Sequence, residues 1–313
     1  MNAQDVAPRR PPTSSRRQRP STLRVHGALF SVALLFSANY IISKFGMRAL
    51  APLSFAWLRV AGASVLLLLV SRGDTLPRGE WRRITLFSIL GVVINQTLFL
   101  SGLAFTTVHV AAILITSIPV FVAAAAVVLG RERASAMRIG GIAVACTGAL
   151  LVVGGEHIAG SGHEALGAAM ILINCLSYAL YLVVSKPDMG RLSPRAVVAR
   201  MFAIGTVFML PICAPALLRE RWSAVSPTAW ISLGLVILGP TFAAYLLQAW
   251  ALEYADSSVV AAYTYVQPVL ATLMAAVFFG EQIRAVVALA AVLIFAGVWI
   301  VTQSGRSSPP HSL

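Results

Sequence analysis

From about Gly27 to Val301 the chain passes through ten apolar stretches, each parted from the next by a short polar turn. Water offers such a sequence no way to cover its apolar surface. A bilayer removes the need. A helix rises about 1.5 Å per residue, so about 20 residues cross the roughly 30 Å of hydrocarbon. The stretches at 26–44, 54–71, 83–102, 107–129, 138–154, 166–185, 196–215, 229–250, 259–279 and 284–302 are of that order. Backbone groups in lipid must be satisfied within their own segment, which predicts helices. The expected fold is an all-α integral membrane protein with ten transmembrane helices. Composition agrees: 58% of residues are apolar and 11% charged, against about 25% charged in soluble domains.

A net charge of +13 suggests nucleic acid until the charges are placed. Six arginines (Arg9, Arg10, Arg16, Arg17, Arg19 and Arg24) precede the first stretch, and most others fall in alternate turns. With a cytoplasmic N-terminus, seventeen Lys and Arg lie on the cytoplasmic side and five outside. That bias predicts a multi-pass protein of the cell (inner) membrane with both termini in the cytoplasm. Residues 1–24 read as a disordered basic tail and 304–313 as a short cytoplasmic tail. The Arg16-Arg17 pair resembles an export signal, but nothing after the first apolar run looks like a mature soluble domain. The expected partners are the lipid bilayer and a small-molecule solute, with no nucleic acid. Cys146, Cys175 and Cys213 stand singly in apolar runs, so neither a disulfide framework nor a metal or cofactor is expected.

The second five stretches repeat the first five, giving units at 25–155 and 166–303. Ser43-Lys44, Pro52 and Arg59 correspond to Ser185-Lys186, Pro194 and Arg200. Ile89-Leu90-Gly91 matches Ile237-Leu238-Gly239, and Pro119 matches Pro268. Five crossings is an odd number, so the second copy enters the membrane from the opposite face. The result is a pair of inverted five-helix repeats, the architecture of many secondary transporters.

Leu103 to Val153, with its Ser-Ile-Pro-Val-Phe, Leu-Gly-Arg-Glu and Thr-Gly-Ala-Leu-Leu-Val-Val, resembles the end of an EamA repeat of the drug/metabolite transporter superfamily. Leu252 to Val301, with Gln-Pro-Val, Phe-Phe-Gly-Glu and Phe-Ala-Gly-Val, resembles a second copy. The resemblance implies a ten-helix fold with a central cavity and the transport of small metabolites. Arg131, inserted before Glu132, departs slightly from the usual turn.

Polar side chains in hydrocarbon must find partners or face water, so they mark the interior. Asn39, Tyr40, Asn95, Gln96, Tyr178, Tyr245, Gln248, Trp250, Tyr263, Tyr265 and Gln267 are the candidate substrate-binding residues. Each amide could instead serve only helix packing. As a set they fall at similar depths in both halves, and amides among rings suit an amphipathic organic solute. Pro119, Pro240 and Pro268 are candidate hinges, because each removes a backbone donor within a span. Arg59 and Arg200 lie five to six residues inside their spans, either snorkelling to an interface or pairing with an anion. His109 could titrate or simply sit at the interface.

No Asp or Glu falls at the centre of any stretch, which favours facilitated diffusion or exchange, or weak coupling through His109 or a terminal Glu, over strict ion coupling. No Ser–His pair, HExxH or central carboxylate pair supports an intramembrane enzyme. The expected function is a secondary transporter or exporter of amino acids or related amphipathic metabolites, working by alternating access. A nucleotide-sugar carrier is the alternative within the same fold, although phosphates would want more central cations than Arg59 and Arg200. A single chain is the expected unit, with a homodimer left open.

Overall fold

The computed structural model describes residues 20–130, 162–280 and 285–306, together with scattered positions between 135 and 151. Every regular element among them is helical. The elements are α1 (Thr22–Gly46), α2 (Pro52–Val70), α3 (Trp81–Phe105), α4 (Val108–Ile115), α5 (Ile118–Val128), α6 (Gly162–Met189), α7 (Pro194–Arg219), α8 (Pro227–Tyr254), α9 (Ser257–Ala262), α10 (Val266–Phe279) and α11 (Ala285–Arg306). Among the described residues, seven segments are long and apolar enough to cross a membrane, the stretch through α4 and α5 counting as one. The expected fifth span, 138–154, and the turns at Arg131-Glu132 and Glu281 lie largely outside the described residues.

Burial is inverted relative to a soluble protein. Ser37, Asn39, Asn95, Gln96, Asn174, Gln248 and Gln267 are buried, while Val65, Val207, Ile212, Leu235 and Leu238 point outward. Lipid accepts the apolar faces, and the amides must collect where partners are. The stretch Val110–Val128 has 83% of its apolar window buried, against 28% for α7. The first therefore runs through the centre, and α7 faces lipid.

The halves interlock. Trp57 of α2 donates its indole N–H to the Thr206 carbonyl of α7 (3.0 Å), and Ser88 of α3 donates to the Met201 carbonyl (2.7 Å). On α3 and α6, Gly102 and Gly167 let the backbones approach until a Cβ on either would meet the other's carbonyl oxygen at 2.8 Å. Small residues at such crossings are the usual device for close packing in lipid.

At one end of the bundle, Arg83 pairs with Asp188 (2.9 Å), Arg191 with Glu80 (2.7 Å) and Arg195 with Asp74 (3.2 Å). Hydrogen bonds to Asp188 and Glu80 raise the Arg191 guanidinium above its ordinary value. This network joins the start of α3 to the end of α6. Since α1 and α3 begin at the same end, α6 runs opposite to α1, as an inverted repeat requires. At the other end, the Ala51 N–H donates to Glu220 (2.7 Å).

The repeat reappears in its irregularities. α3 carries a π-helical segment at Ile89–Ile94 and α8 one at Ile237–Ala243, both beginning at the Ile-Leu-Gly signature. α4 gives way to α5 at Thr116–Ser117, and α9 gives way to α10 through a 3₁₀ turn at Tyr263–Tyr265. Gly130 and Gly280, ending α5 and α10, both take a left-handed φ (66° and 63°), the glycine exit of many helices. Pro119 and Pro268 therefore sit in the first turns of new helices rather than inside continuous ones. Their missing N–H groups cost little there.

Candidate solute cavity

Seven membrane-crossing units from both halves converge on one central cavity of about 70 Å³, room for about five waters. α1 contributes Phe36, Asn39 and Tyr40, and α2 contributes Arg59. Asn95, Gln96 and Phe99 come from α3, Asn174 and Tyr178 from α6, and Tyr245 and Gln248 from α8. Tyr263, Thr264 and Gln267 line it where α9 breaks into α10. Leu29, Val32, Ile115, Ile118 and Leu182 supply apolar wall.

Several of the lining helices are interrupted near this cavity. Pro240 has no N–H to give the Val236 carbonyl four residues earlier, and its ring pushes that carbonyl aside. The next residue repairs the loss: Thr241 donates its hydroxyl to the Val236 carbonyl at 2.7 Å. In α3 no proline is present, and the carbonyls of the π segment are met from outside the helix. Ser177 donates to the Leu90 carbonyl (2.8 Å), and the Tyr245 hydroxyl shares its single proton between the Gly91 carbonyl (3.4 Å) and Asn95 Oδ1. Asn174 donates to the Asn95 carbonyl (2.8 Å). Π-bulges of this kind concentrate at functional sites.

The polar lining is a set of tyrosine–glutamine pairs. Tyr178 donates to Gln248 Oε1 (2.6 Å) and Tyr40 to Gln267 Oε1 (3.3 Å). Gln96 Nε2 donates to the Tyr245 oxygen (2.8 Å) and to Asn95 Oδ1 (3.0 Å), which also accepts from Tyr245 (3.0 Å). His26 Nδ1 meets the Tyr263 hydroxyl at 2.5 Å. Ser43 donates to Asn39 Oδ1 (3.0 Å). Around them the rings of Phe36 and Phe202 meet Tyr245 edge-on, and Phe99 meets Tyr40.

Arg59 is the charged member of the lining. It is only 1% exposed, so the snorkelling alternative fails for it. Its Nε and Nη2 both donate to Thr241 Oγ1 (3.1 and 2.8 Å). Arg200, its counterpart by sequence, is half-buried on α7 and is not part of the lining.

Of the residues expected from sequence, Asn39, Tyr40, Asn95, Gln96, Tyr178, Tyr245, Gln248, Tyr263 and Gln267 share this cavity. Trp250 and Tyr265 do not. Trp250 packs on the Tyr254 ring, 5.4 Å away, and Tyr265 on Phe295 at 6.0 Å. The side chain of His109 lies outside the described residues. Sequence reasoning missed Phe36, Phe99 and Thr241. Only Thr241 left a signal, being a hydroxyl placed directly after an intramembrane proline. Among the described residues, no cluster of His, Cys, Asp and Glu could hold a metal ion.

Comparison with known proteins places the chain among transporters. An "Uncharacterized transporter" of Archaeoglobus fulgidus is 28% identical over 284 residues, covering 89% of this chain and 97% of that protein. The "Probable terminal-alkyne amino-acid exporter" of Streptantibioticus cattleyicolor is 30% identical, covering 81% of this chain and 84% of that one. A solved crystal structure superposes with a TM-score of 0.65 at 16% identity, over 92% of this chain and all of that one, which shows a shared fold. The profile of the EamA-like transporter family matches residues 24–154 and again 165–303. With both copies of the repeat accounted for, this chain is a membrane transporter and belongs to the EamA-like transporter family.

Proposed function

We propose that the chain moves small organic metabolites, amino acids or related amphipathic solutes first among them, across the inner membrane by alternating access. One observation carries the reading: a cavity at mid-bundle, built from both halves, pairs hydrogen-bonding amides with aromatic faces. Amides orient a solute and rings cover its apolar part, which is what an amphipathic molecule needs and a bare ion does not. The paired interruptions, π in α3 and α8 and breaks at α4–α5 and α9–α10, supply two matched sets of hinges. Pro119, Pro240 and Pro268 pin these positions. Export is the favoured direction, in keeping with the name of the Streptantibioticus relative. The described lining comes from one chain, in keeping with a monomer as the working unit.

Among the described residues the lining carries no carboxylate, which supports exchange without a driving ion. One buried cation also suits a single anionic group better than a nucleotide sugar's several charges. Counterflow in proteoliposomes tests the reading: preloaded unlabelled amino acid should drive uptake of the labelled one with no pH gradient. Gln96→Ala and Gln248→Ala should weaken it. Absence of exchange for every amino acid and amphipathic metabolite tried would overturn the transporter cargo assigned here, and strict dependence on an imposed pH gradient would overturn the uncoupled mechanism.

A further inference from the structure

We infer that the cavity reads the charged head of an amino acid, with Arg59 Nη1 taking the carboxylate and Gln96 Oε1 taking the ammonium. The inference rests on the transport reading above and names the chemistry of its solute. Two buried polar atoms of opposite character lack a hydrogen-bond partner in this lining: Arg59 Nη1 and Gln96 Oε1. The neighbouring nitrogens of both groups are engaged. Arg59 Nε and Nη2 are held by Thr241, and Gln96 Nε2 is shared between Tyr245 and Asn95.

An unpaired guanidinium inside a protein is expensive unless something supplies the opposite charge. Nothing in the described lining is acidic. A carboxylate is the group that fits, since it meets the charge and accepts the free N–H together. The Gln96 carbonyl oxygen is an acceptor left open in the same cavity, and an ammonium is all donor. Tyr245 and Phe99 add ring faces that favour a cation or an apolar side chain.

The anchor also ties cargo to motion. Arg59 grips Thr241, and Thr241 fills the hydrogen bond that Pro240 vacates. A carboxylate drawing on Nη1 therefore pulls on the π segment of α8. Arg200 has no comparable place, so the charge comes from the first half alone and bears on the π turn of the second.

Thermal-shift titration of the purified full-length chain with the twenty common L-amino acids tests the inference. Each amino acid that binds is then compared with its C-terminal amide and its N-acetyl derivative. Both derivatives should bind about 10- to 100-fold more weakly, the worth of a hydrogen bond to a charged group. Arg59→Gln should erase the preference of acid over amide, and Arg59→Lys should restore part of it. Gln96→Leu should erase the preference over the N-acetyl form. A merely structural arginine would lower stability without changing these ratios. Should Arg59→Gln fail to fold, the wild-type ratio decides alone, and equal binding of acid and amide overturns the inference. So does a panel in which no amino acid binds. Counterflow of an uncharged solute would leave the transport reading standing while removing this one.

Discussion

The π segments of α3 and α8 share a signature and a position, yet they are held open by opposite means. In α8 the cause and the remedy are local: Pro240 frees the Val236 carbonyl and Thr241 covers it. In α3 the remedy is tertiary, with Ser177 of α6 and Tyr245 of α8 reaching the Leu90 and Gly91 carbonyls. Inverted repeats thus keep a backbone irregularity while exchanging the interactions that stabilise it. The physical reason is plain: a carbonyl stranded at membrane depth must be satisfied, and any donor within reach will do.

The sharpest way to break the comparison is Thr241→Val. It strands the Val236 carbonyl and takes from Arg59 its acceptor, leaving buried donors unmet on a charge. We expect a loss of about 3 kcal/mol or more in stability and near-complete loss of exchange, read by scanning fluorimetry and counterflow. Gly102→Ala, which probes the α3–α6 seam, forces a methyl against the Gly167 oxygen at 2.8 Å. A loss of about 1–3 kcal/mol is expected by the same fluorimetry. Ser177→Ala strands only a neutral carbonyl in α3, for about 1–2 kcal/mol. If it cost as much as Thr241→Val, the local-against-tertiary contrast would be wrong.

Gly130→Ala and Gly280→Ala should each cost about 1 kcal/mol, equally, because both residues occupy the same left-handed exit. Unequal losses would show that the repeats differ there too. Pro240→Ala is the mildest change to stability. It returns the missing N–H, should leave melting within about 1 kcal/mol of wild type, and should still slow exchange by stiffening α8.

Much of this was readable before any coordinates. Polar residues such as Asn95 and Gln96 inside apolar runs can only face the interior, and the Ile-Leu-Gly and proline matches align the halves. Trp250 and Tyr265 misled because an aromatic ring serves a cavity, a helix contact or an interface equally well. The burial of Arg59 was not legible, since a position six residues inside a span permits snorkelling. What fixes it is Thr241, whose orientation depends on a π turn far away in sequence. The π turn of α3 left no mark either, having no proline to betray it.

Alternating access at this cavity is tested most directly by labelling a single cysteine from each side of the membrane. Phe99→Cys, which places the thiol in the lining, would be studied in a background with Cys146, Cys175 and Cys213 replaced. The account predicts that an impermeant maleimide reaches position 99 in both right-side-out and inverted vesicles, and that transported solute slows both reactions. Labelling from one side alone, unchanged by solute, would contradict it.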